Sequence, residues 1–239
     1  MAADAPLPPQ MPQMPQAEQP QPQRRRGRPP KDSVRGDARA LLIRAGLEML
    51  TEKGYSSAGL DEILRVAAVP KGSFYHYFAS KEAFGHALID AYQSYFAHRL
   101  DRHLLNTELS PLGRIEAFID DSLRGMARHE YRRGCLVGNL GQEMSALPES
   151  FRARLLAVFD DWQQRLALCL REAQQQHELS AALDAATLAR FFWTGWEGAV
   201  LRARLEQNTD ALTLFAQGFF QLLGRAYTPH KPGISDLKS

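Results

Sequence analysis

Apolar residues recur every three or four positions along most of this chain, from about residue 37 to residue 227. That spacing places them on one face of successive α-helices. No segment alternates apolar and polar residues as a half-buried β-strand would, and no internal repeat is visible. The pattern therefore predicts an all-α fold.

The first predicted helices are short and lie within residues 32–82. Helix one begins near Asp37 and ends at Gly54, because glycine readily adopts the left-handed conformation that ends a helix. A second helix covers about residues 60–67, and a turn leads into a third, from about residue 71 to residue 78. The predicted inward face of helix one consists of Leu41, Leu42, Ala45, Met49 and Leu50.

Residues 83–228 hold the remaining predicted helices, which form a larger second domain. Ser80 is the predicted N-cap of the first of them. The others cover about residues 111–128, 136–146, a long segment that starts at Pro148, and residues 184–207 and 210–227.

The last two helices carry more apolar residues than one buried face requires. The stripe comprises Leu188, Phe191, Phe192, Gly195, Trp196, Ala199, Val200 and Ala203, and then Leu212, Phe215, Phe219, Phe220 and Leu223. Two such helices from each of two subunits can pack as a four-helix interface, so the stripe predicts a homodimer. Burial in the core of a monomer explains any one of these residues but explains the whole set poorly.

The small domain ends in the segment VPKGSFYHYF, residues 69–78, which is followed by ASKEAF. Its aromatic rings can pack inward, while its lysine, serine, tyrosine and histidine side chains can reach phosphates and base edges. The segment resembles the helix-turn-helix signature of the TetR family of one-component transcriptional repressors. Together with Gly134-Cys135-Leu136, it is most similar to the branch that contains the N-ethylmaleimide-reductase repressor and the acrylate-utilisation repressor.

The resemblance implies an N-terminal three-helix helix-turn-helix domain and a C-terminal helical domain for effector binding and dimerisation. The partners that it implies are a palindromic double-stranded operator and a small-molecule effector. The DNA-facing residues that it implies are Lys71, Gly72, Ser73, Tyr75, His76 and a phosphate-binding lysine, Lys81. Polar residues that merely cover a helix surface are the alternative.

Basic charge gathers at the start of the chain. Residues 1–81 hold 12 Lys/Arg and 8 Asp/Glu, whereas residues 82–239 hold 17 and 19. Residues 1–31 are predicted to be a disordered Pro/Gln-rich tail ending in a basic arm, and residues 229–239 a flexible tail. The arm carries Arg24, Arg25, Arg26 and Arg28, which can enter a minor groove. A solvated basic linker is the alternative.

Cys135 follows Arg132 and Arg133 and precedes a predicted short helix. The helix dipole and both arginines would favour its thiolate form. In the branch that this chain resembles, a cysteine in this context is associated with responses to electrophiles and oxidants, and related members bind small unsaturated acids. We therefore expect an unsaturated acid such as acrylate, or a reactive electrophile, to act near Cys135. Burial as a small apolar residue is the alternative.

The other predicted effector-binding residues are aromatic or polar side chains around a cavity between helices. They are Tyr92, Tyr95, Asn139, Trp162, Trp193, Trp196 and Glu197. Aromatic residues at helical spacing also fit ordinary packing, which is the alternative for this group.

The composition argues against several other classes of protein. Two cysteines do not make a disulfide framework, and no run of about 18 apolar residues predicts a membrane span. We therefore expect a cytoplasmic protein without a membrane partner. No metal-ligand spacing or phosphate-binding loop is present, so neither a metal, a cofactor nor a catalytic residue is predicted. The alternative function is a cysteine-dependent enzyme that uses Cys135 as its nucleophile on electrophiles.

Overall fold

The computed structural model describes residues 31–227, with side chains from Ala38 onward. The predicted tail of residues 229–239 and all of the predicted arm except Lys31 lie outside this range. Within it the chain is helical, without a β-strand, which confirms the all-α prediction. The helices are α1 Lys31–Lys53, α2 Leu60–Ala67, α3 Lys71–Tyr77, α4 Lys81–Leu104, α5 Pro111–Arg128, α6 Leu136–Gln142, α7 Ser150–Gln175, α8 Ala185–Glu206 and α9 Asp210–Leu222.

Helices α1, α2 and α3 pack on one another, and α1 and α3 also contact the first turns of α4. Phe74 of α3 is completely buried, with its ring centroid 5.4 Å from that of Phe78 and 5.3 Å from that of Phe84. Because this aromatic core fixes one side of α3, the polar side of the helix faces outward.

Helix α4 connects the small domain to the larger one. It begins at the predicted cap, where the Ser80 hydroxyl accepts a hydrogen bond from Ala83 N at 3.0 Å. Along its length it contacts α1 on one side and α5, α6 and α7 on the others, while α8 lies between α7 and α9. Within residues 31–227, no helix is both long and apolar enough to cross a membrane.

Four helix boundaries differ from the prediction. Helix α1 begins at Lys31 rather than near Asp37, α6 ends at Gln142, α7 begins at Ser150 rather than at Pro148, and α9 ends at Leu222. The face predicted for α1 is also slightly rotated, since Leu41 is 46% exposed while its neighbour Leu42 is fully buried. Adjacent residues lie about 100° apart around a helix, so only one of the two can point directly at the core.

The predicted dimerisation stripe is mostly the core of a single subunit. Phe192, Trp196, Ala203, Phe219 and Phe220 are all buried in the monomer. A Cβ at Gly195 would collide with the ring of Phe215, so this glycine admits α9 of the same chain. Periodicity could not show this, because it does not reveal which neighbour covers each face. The large apolar side chains that α8 and α9 leave exposed are Phe191, Leu201, Leu205, Leu214 and Leu222.

Candidate DNA-binding surface and effector cavity

The outward side of α3 carries the residues predicted to face DNA. Lys71, Gly72, Tyr75 and His76 are exposed, and Ser73 is half-buried. Lys71 Nζ lies 2.9 Å from Asp61 Oδ1 of α2. An ion pair this exposed to water is weak, so it leaves the ammonium group available to another anion.

Lys81, the first residue of α4, is held against the small domain. Its Nζ lies 4.5 Å from the centroid of the Tyr55 ring and donates a hydrogen bond to Tyr55 O at 3.2 Å. An ammonium group has three donors, so Lys81 keeps capacity for a phosphate while it also ties α4 to the α1–α2 turn. Arg24, Arg25, Arg26 and Arg28 lie outside the described residues.

A cavity of about 790 Å³ opens where the two domains meet. One wall is a face of α1 that includes Ile43, Leu47 and Thr51, and the facing walls come from α4, α5 and α8. This volume is in the range of small-molecule sites. Because α1 belongs to the small domain, a ligand in this cavity would touch both domains.

The structure brings together five of the predicted effector-binding residues, since Tyr92, Tyr95, Cys135, Trp196 and Glu197 all border this cavity. Among these five, Tyr95 is 61% exposed.

The other three predicted residues lie elsewhere. Trp193 borders an adjoining groove of about 580 Å³ between α7 and α8, which Glu197 also borders. Trp162 is fully buried, with its ring centroid 4.4 Å from that of Phe96, and borders none of the described cavities. Asn139 does not border them either, because its side chain is turned towards α1.

Cys135 is the N-cap of α6, and its Sγ accepts a hydrogen bond from Gly138 N at 3.4 Å. The side chains of Tyr92 and Glu197 both lie close enough to the thiol to influence its pKa. A Cβ at Gly138 would collide with Glu197 Oε2 and would lie 3.6 Å from Cys135 Cβ. The absence of a side chain at Gly138 therefore lets the carboxyl group of Glu197 approach the start of α6 beside the cysteine.

The prediction that Cys135 is a thiolate is wrong for this structure. Burial raises the pKa of its thiol well above the usual value, and the nearby Glu197 carboxylate raises it further. Arg133 Nε instead pairs with Glu52 Oε1 at 3.1 Å, and Arg132 Nη2 lies 3.8 Å from Glu52 Oε2. The positive charges of Arg132 and Arg133 are therefore paired with Glu52 of α1. Loss of hydration raises the pKa of the thiol by more than the hydrogen bond at the start of α6 lowers it.

Glu197 also has a perturbed pKa. Burial raises the pKa of its carboxyl group from 4.5 to about 7, and the contact with Cys135 opposes this shift. Burial likewise raises the pKa of the Tyr92 hydroxyl well above 10. The inner end of the cavity therefore holds a neutral thiol, a neutral phenol and a carboxyl group that titrates near neutral pH.

The last carbonyl groups of α1 are satisfied by side chains and backbone from α6, from the segment before it and from α8. Asn139 Nδ2 donates to Leu50 O at 3.0 Å and to Thr51 O at 3.1 Å, and Gly134 N donates to Thr51 O at 3.0 Å. Arg204 of α8 donates to Glu52 O at 2.8 Å and to Asn139 Oδ1 at 2.9 Å. Sequence reasoning missed Arg204, because nothing near it in the chain marks its partner.

Glu143, which caps the C-terminal end of α6, was also missed. Its carboxylate accepts hydrogen bonds from Tyr55 N at 3.1 Å and Ser56 N at 2.8 Å, in the turn between α1 and α2. Gly54, which has a φ of 80°, leaves room for it, since a Cβ there would collide with Glu143 Oε1. An acidic residue at the C-terminal end of a helix opposes the helix dipole, and this was the available signal that Glu143 has a partner elsewhere.

A helix-turn-helix domain joined to a helical domain with an internal cavity is the architecture of ligand-responsive DNA-binding repressors. Residues 42–88 match the family model for bacterial regulatory proteins of the tetR family, and residues 111–219 match the model for the tetracyclin repressor-like C-terminal domain. The chain belongs to the TetR family of transcriptional regulators.

Its relatives within the family are transcriptional regulators. The chain is 58% identical over 195 residues to the transcriptional regulator AcuR of Cereibacter sphaeroides, which covers 82% of this chain and 89% of that protein. It is 31% identical over 176 residues to the transcriptional repressor NemR of Escherichia coli, covering 74% of this chain and 88% of NemR.

Solved structures agree with this assignment. A crystal structure of a TetR regulatory protein from Rhodobacter sphaeroides superposes with a TM-score of 0.76 at 59% identity and covers 77% of this chain and 97% of its own. The reduced form of E. coli NemR superposes with a TM-score of 0.72 at 30% identity and covers 82% of this chain and 100% of its own.

The raised pKa of Glu197 predicts a pH-dependent effect of Glu197→Gln on stability. A carboxyl group whose pKa is higher in the folded state stabilises the fold below about pH 4.5, and this contribution is lost as the pH rises through about 7. Because glutamine cannot ionise, we expect the variant to gain about 3 kcal/mol relative to the parent between pH 4.5 and pH 8. Urea unfolding at several pH values measures this difference. If the difference in the free energy of unfolding between variant and parent did not change with pH, the pKa of Glu197 would not be raised by loss of hydration.

Proposed function

We propose that this protein is a homodimeric repressor that binds a palindromic operator and releases it when a small effector acts near Cys135. The effector class is either an unsaturated acid such as acrylate or a reactive electrophile. The single observation that carries the proposal is one cavity, bordered both by α1 of the helix-turn-helix domain and by Cys135.

The polar side of α3 supports the DNA-binding part of the proposal. Lys71, Tyr75 and His76 project from a helix whose inner side is fixed by the buried Phe74. Recognition helices read DNA from such a rigid, exposed polar face. We assign base or phosphate contacts to Lys71, Gly72, Ser73, Tyr75 and His76, and a phosphate contact to Lys81.

The exposed apolar face of α8 and α9 supports the dimer. Phe191, Leu201, Leu205, Leu214 and Leu222 are each more than two-fifths exposed. Several large apolar side chains exposed on two neighbouring helices favour an interface there. A second copy of the chain that packs on this face would place two recognition helices on one palindrome.

Helix α6 supports a route from the cavity to the DNA-binding domain. Its first turn is capped by Cys135 inside the cavity, and Glu143 at its other end binds two backbone N–H groups of the α1–α2 turn. Asn139, between them, binds the last carbonyl groups of α1. A group added to the Cys135 sulfur would displace the start of α6 and so weaken these contacts with the helix-turn-helix domain. An effector acts allosterically only if it favours one of two such arrangements.

The placement of the recognition surface predicts that Lys71→Ala and Tyr75→Phe each weaken operator binding about tenfold, because each removes a contact with a phosphate or a base. Affinity is measured at one fixed salt concentration on a duplex that the protein selects from a random pool.

Two control variants match these changes. Lys53→Ala breaks a comparable exposed ion pair, with Glu62 at 2.7 Å, at the end of α1, and Tyr95→Phe removes an exposed hydroxyl from α4. Neither control should change the affinity. Equal affinities for all four variants would contradict the proposed DNA surface.

The proposed site of effector action predicts that Cys135→Ser still binds the operator but no longer releases it on exposure to an alkylating alkene such as acrylamide. Alkylation of the parent should lower operator affinity about tenfold or more, within the range of allosteric coupling energies. Mass spectrometry of the labelled protein checks that Cys135 carries the adduct. Cys169 provides an internal control, because burial raises its pKa to about 12 and only 3% of it is exposed. Release of Cys135→Ser by acrylamide as readily as of the parent would contradict the proposal.

A further inference from the structure

The chemistry proposed for Cys135 needs a way to remove the thiol proton. The structure holds the sulfur as a neutral thiol, because burial and Glu197 both disfavour its ionised form. Thiolate, rather than thiol, is the reactive nucleophile. Reaction inside this cavity therefore requires a group that accepts the proton as the sulfur attacks.

Glu197 is placed to accept that proton. It reaches Cys135 from α8, through the gap that Gly138 leaves at the start of α6. Its carboxyl group lies close enough to Cys135 to raise the pKa of the thiol and also borders the cavity, yet it forms no ion pair with any of the described residues. Glu197 is half-buried, and removing a carboxylate even partly from water without a compensating cation costs free energy, so its position calls for a role that requires it.

We propose that Glu197 is the general base that takes the proton from the Cys135 thiol when the sulfur adds to an electron-poor alkene in the cavity. The proposal rests on the proposed function of Cys135 as the site of reaction. The Sγ–H bond breaks and its proton passes to the Glu197 carboxylate, while an Sγ–C bond forms at the β-carbon and the alkene π bond opens. The proton then moves from Glu197 to the α-carbon. The net step is addition of the thiol across the double bond, without an oxidant or a reductant.

The ligand class follows from this chemistry. It is a small α,β-unsaturated carbonyl compound whose β-carbon can reach Sγ while its carbonyl group faces the hydroxyl group of Tyr92, which borders the same cavity and lies near the thiol. A phenol that remains protonated can donate a hydrogen bond to the oxygen that becomes more negative during the addition. We therefore assign Tyr92 a second role in the reaction, as the hydrogen-bond donor to the carbonyl oxygen of the ligand.

The other charged groups around the site leave Glu197 as the one that titrates at the proposed step. Arg99 of α4 pairs with Asp121 of α5 at 2.9 Å, and Arg133 pairs with Glu52 and Glu48 of α1. On the far side, Asp160 of α7 and Arg190 of α8 border the adjoining groove. His129, at the end of α5, also borders the cavity, but burial and the nearby Arg133 lower its pKa below 6.5.

The test is the rate of Cys135 alkylation by acrylamide as a function of pH in the full-length parent, Glu197→Gln and His129→Gln. Acrylamide is uncharged throughout this range, so the profile reports the protein alone. The parent rate should rise through an inflection near pH 7, as Glu197 ionises, and then level off. Glu197→Gln should lose this inflection and react about 100-fold more slowly at pH 8, as expected for loss of a general base. His129→Gln should keep the parent profile.

A purely electrostatic role of Glu197 predicts the opposite change in the alkylation rate, so the direction of that change decides between the two roles. If Glu197 only repels the thiolate, removal of its charge lowers the thiol pKa, and Glu197→Gln reacts faster than the parent. A faster or unchanged rate therefore overturns the general-base role while leaving operator release by alkylation intact. An inert Cys135 in the parent at every pH would instead overturn the proposed reaction at Cys135 and this inference together, and would favour a reversibly bound unsaturated acid as the effector. Gly138→Ala, which displaces the Glu197 carboxyl group without removing it, should slow the reaction in the same direction as Glu197→Gln.

Discussion

The last carbonyl groups of helix α1 take most of their hydrogen-bond donors from the larger domain. A helix end leaves several backbone acceptors unpaired. Here Asn139, Gly134 and Arg204 bind the carbonyl groups of residues 50–52, and Glu143 binds the N–H groups of the following turn. Hydrogen bonds from α6, from the segment before it and from α8 therefore hold the helix-turn-helix domain in place together with the packing of α1 on α4. Any change at the start of α6 bears on the same contacts.

Cys135 lies at that start and combines two properties that oppose each other. Its place at a helix N-terminus favours a thiolate, while its poorly hydrated surroundings and Glu197 disfavour one. The second effect is larger, so the resting cysteine is protected from ionisation. A sensor built in this way would ignore agents that need a free thiolate in water and would respond to molecules that enter the cavity and engage Glu197.

Sequence reasoning predicted the fold and the DNA-binding helix well, because both depend on local signals. Ser80 caps α4 as expected. In the VPKGSFYHYF segment, Phe74 and Phe78 are buried, while the polar residues Lys71 and His76 are exposed. The predicted effector site was only partly assembled. Tyr92, Cys135, Trp196 and Glu197 do meet, but Trp162 is core and Asn139 turns towards α1.

The errors share a physical cause. The charge state of Cys135 depends on where Arg132 and Arg133 find partners, and those partners, on α1, are about 80 residues earlier in the chain. The stripe on α8 could not be divided between core and interface, because the close approach of Phe215 to Gly195 depends on tertiary packing. Residues that act through partners distant in sequence, such as Arg204, leave no periodic or local signal.

We propose that modification of Cys135 loosens the hold of α6 on the α1–α2 turn. Amide hydrogen exchange at Tyr55 and Ser56 measures this hold, since these two N–H groups donate to Glu143. Alkylation of the parent by acrylamide should accelerate exchange at both amides, and the same treatment of Cys135→Ser should not. Unchanged exchange in an alkylated protein that has nonetheless released its operator would contradict the account.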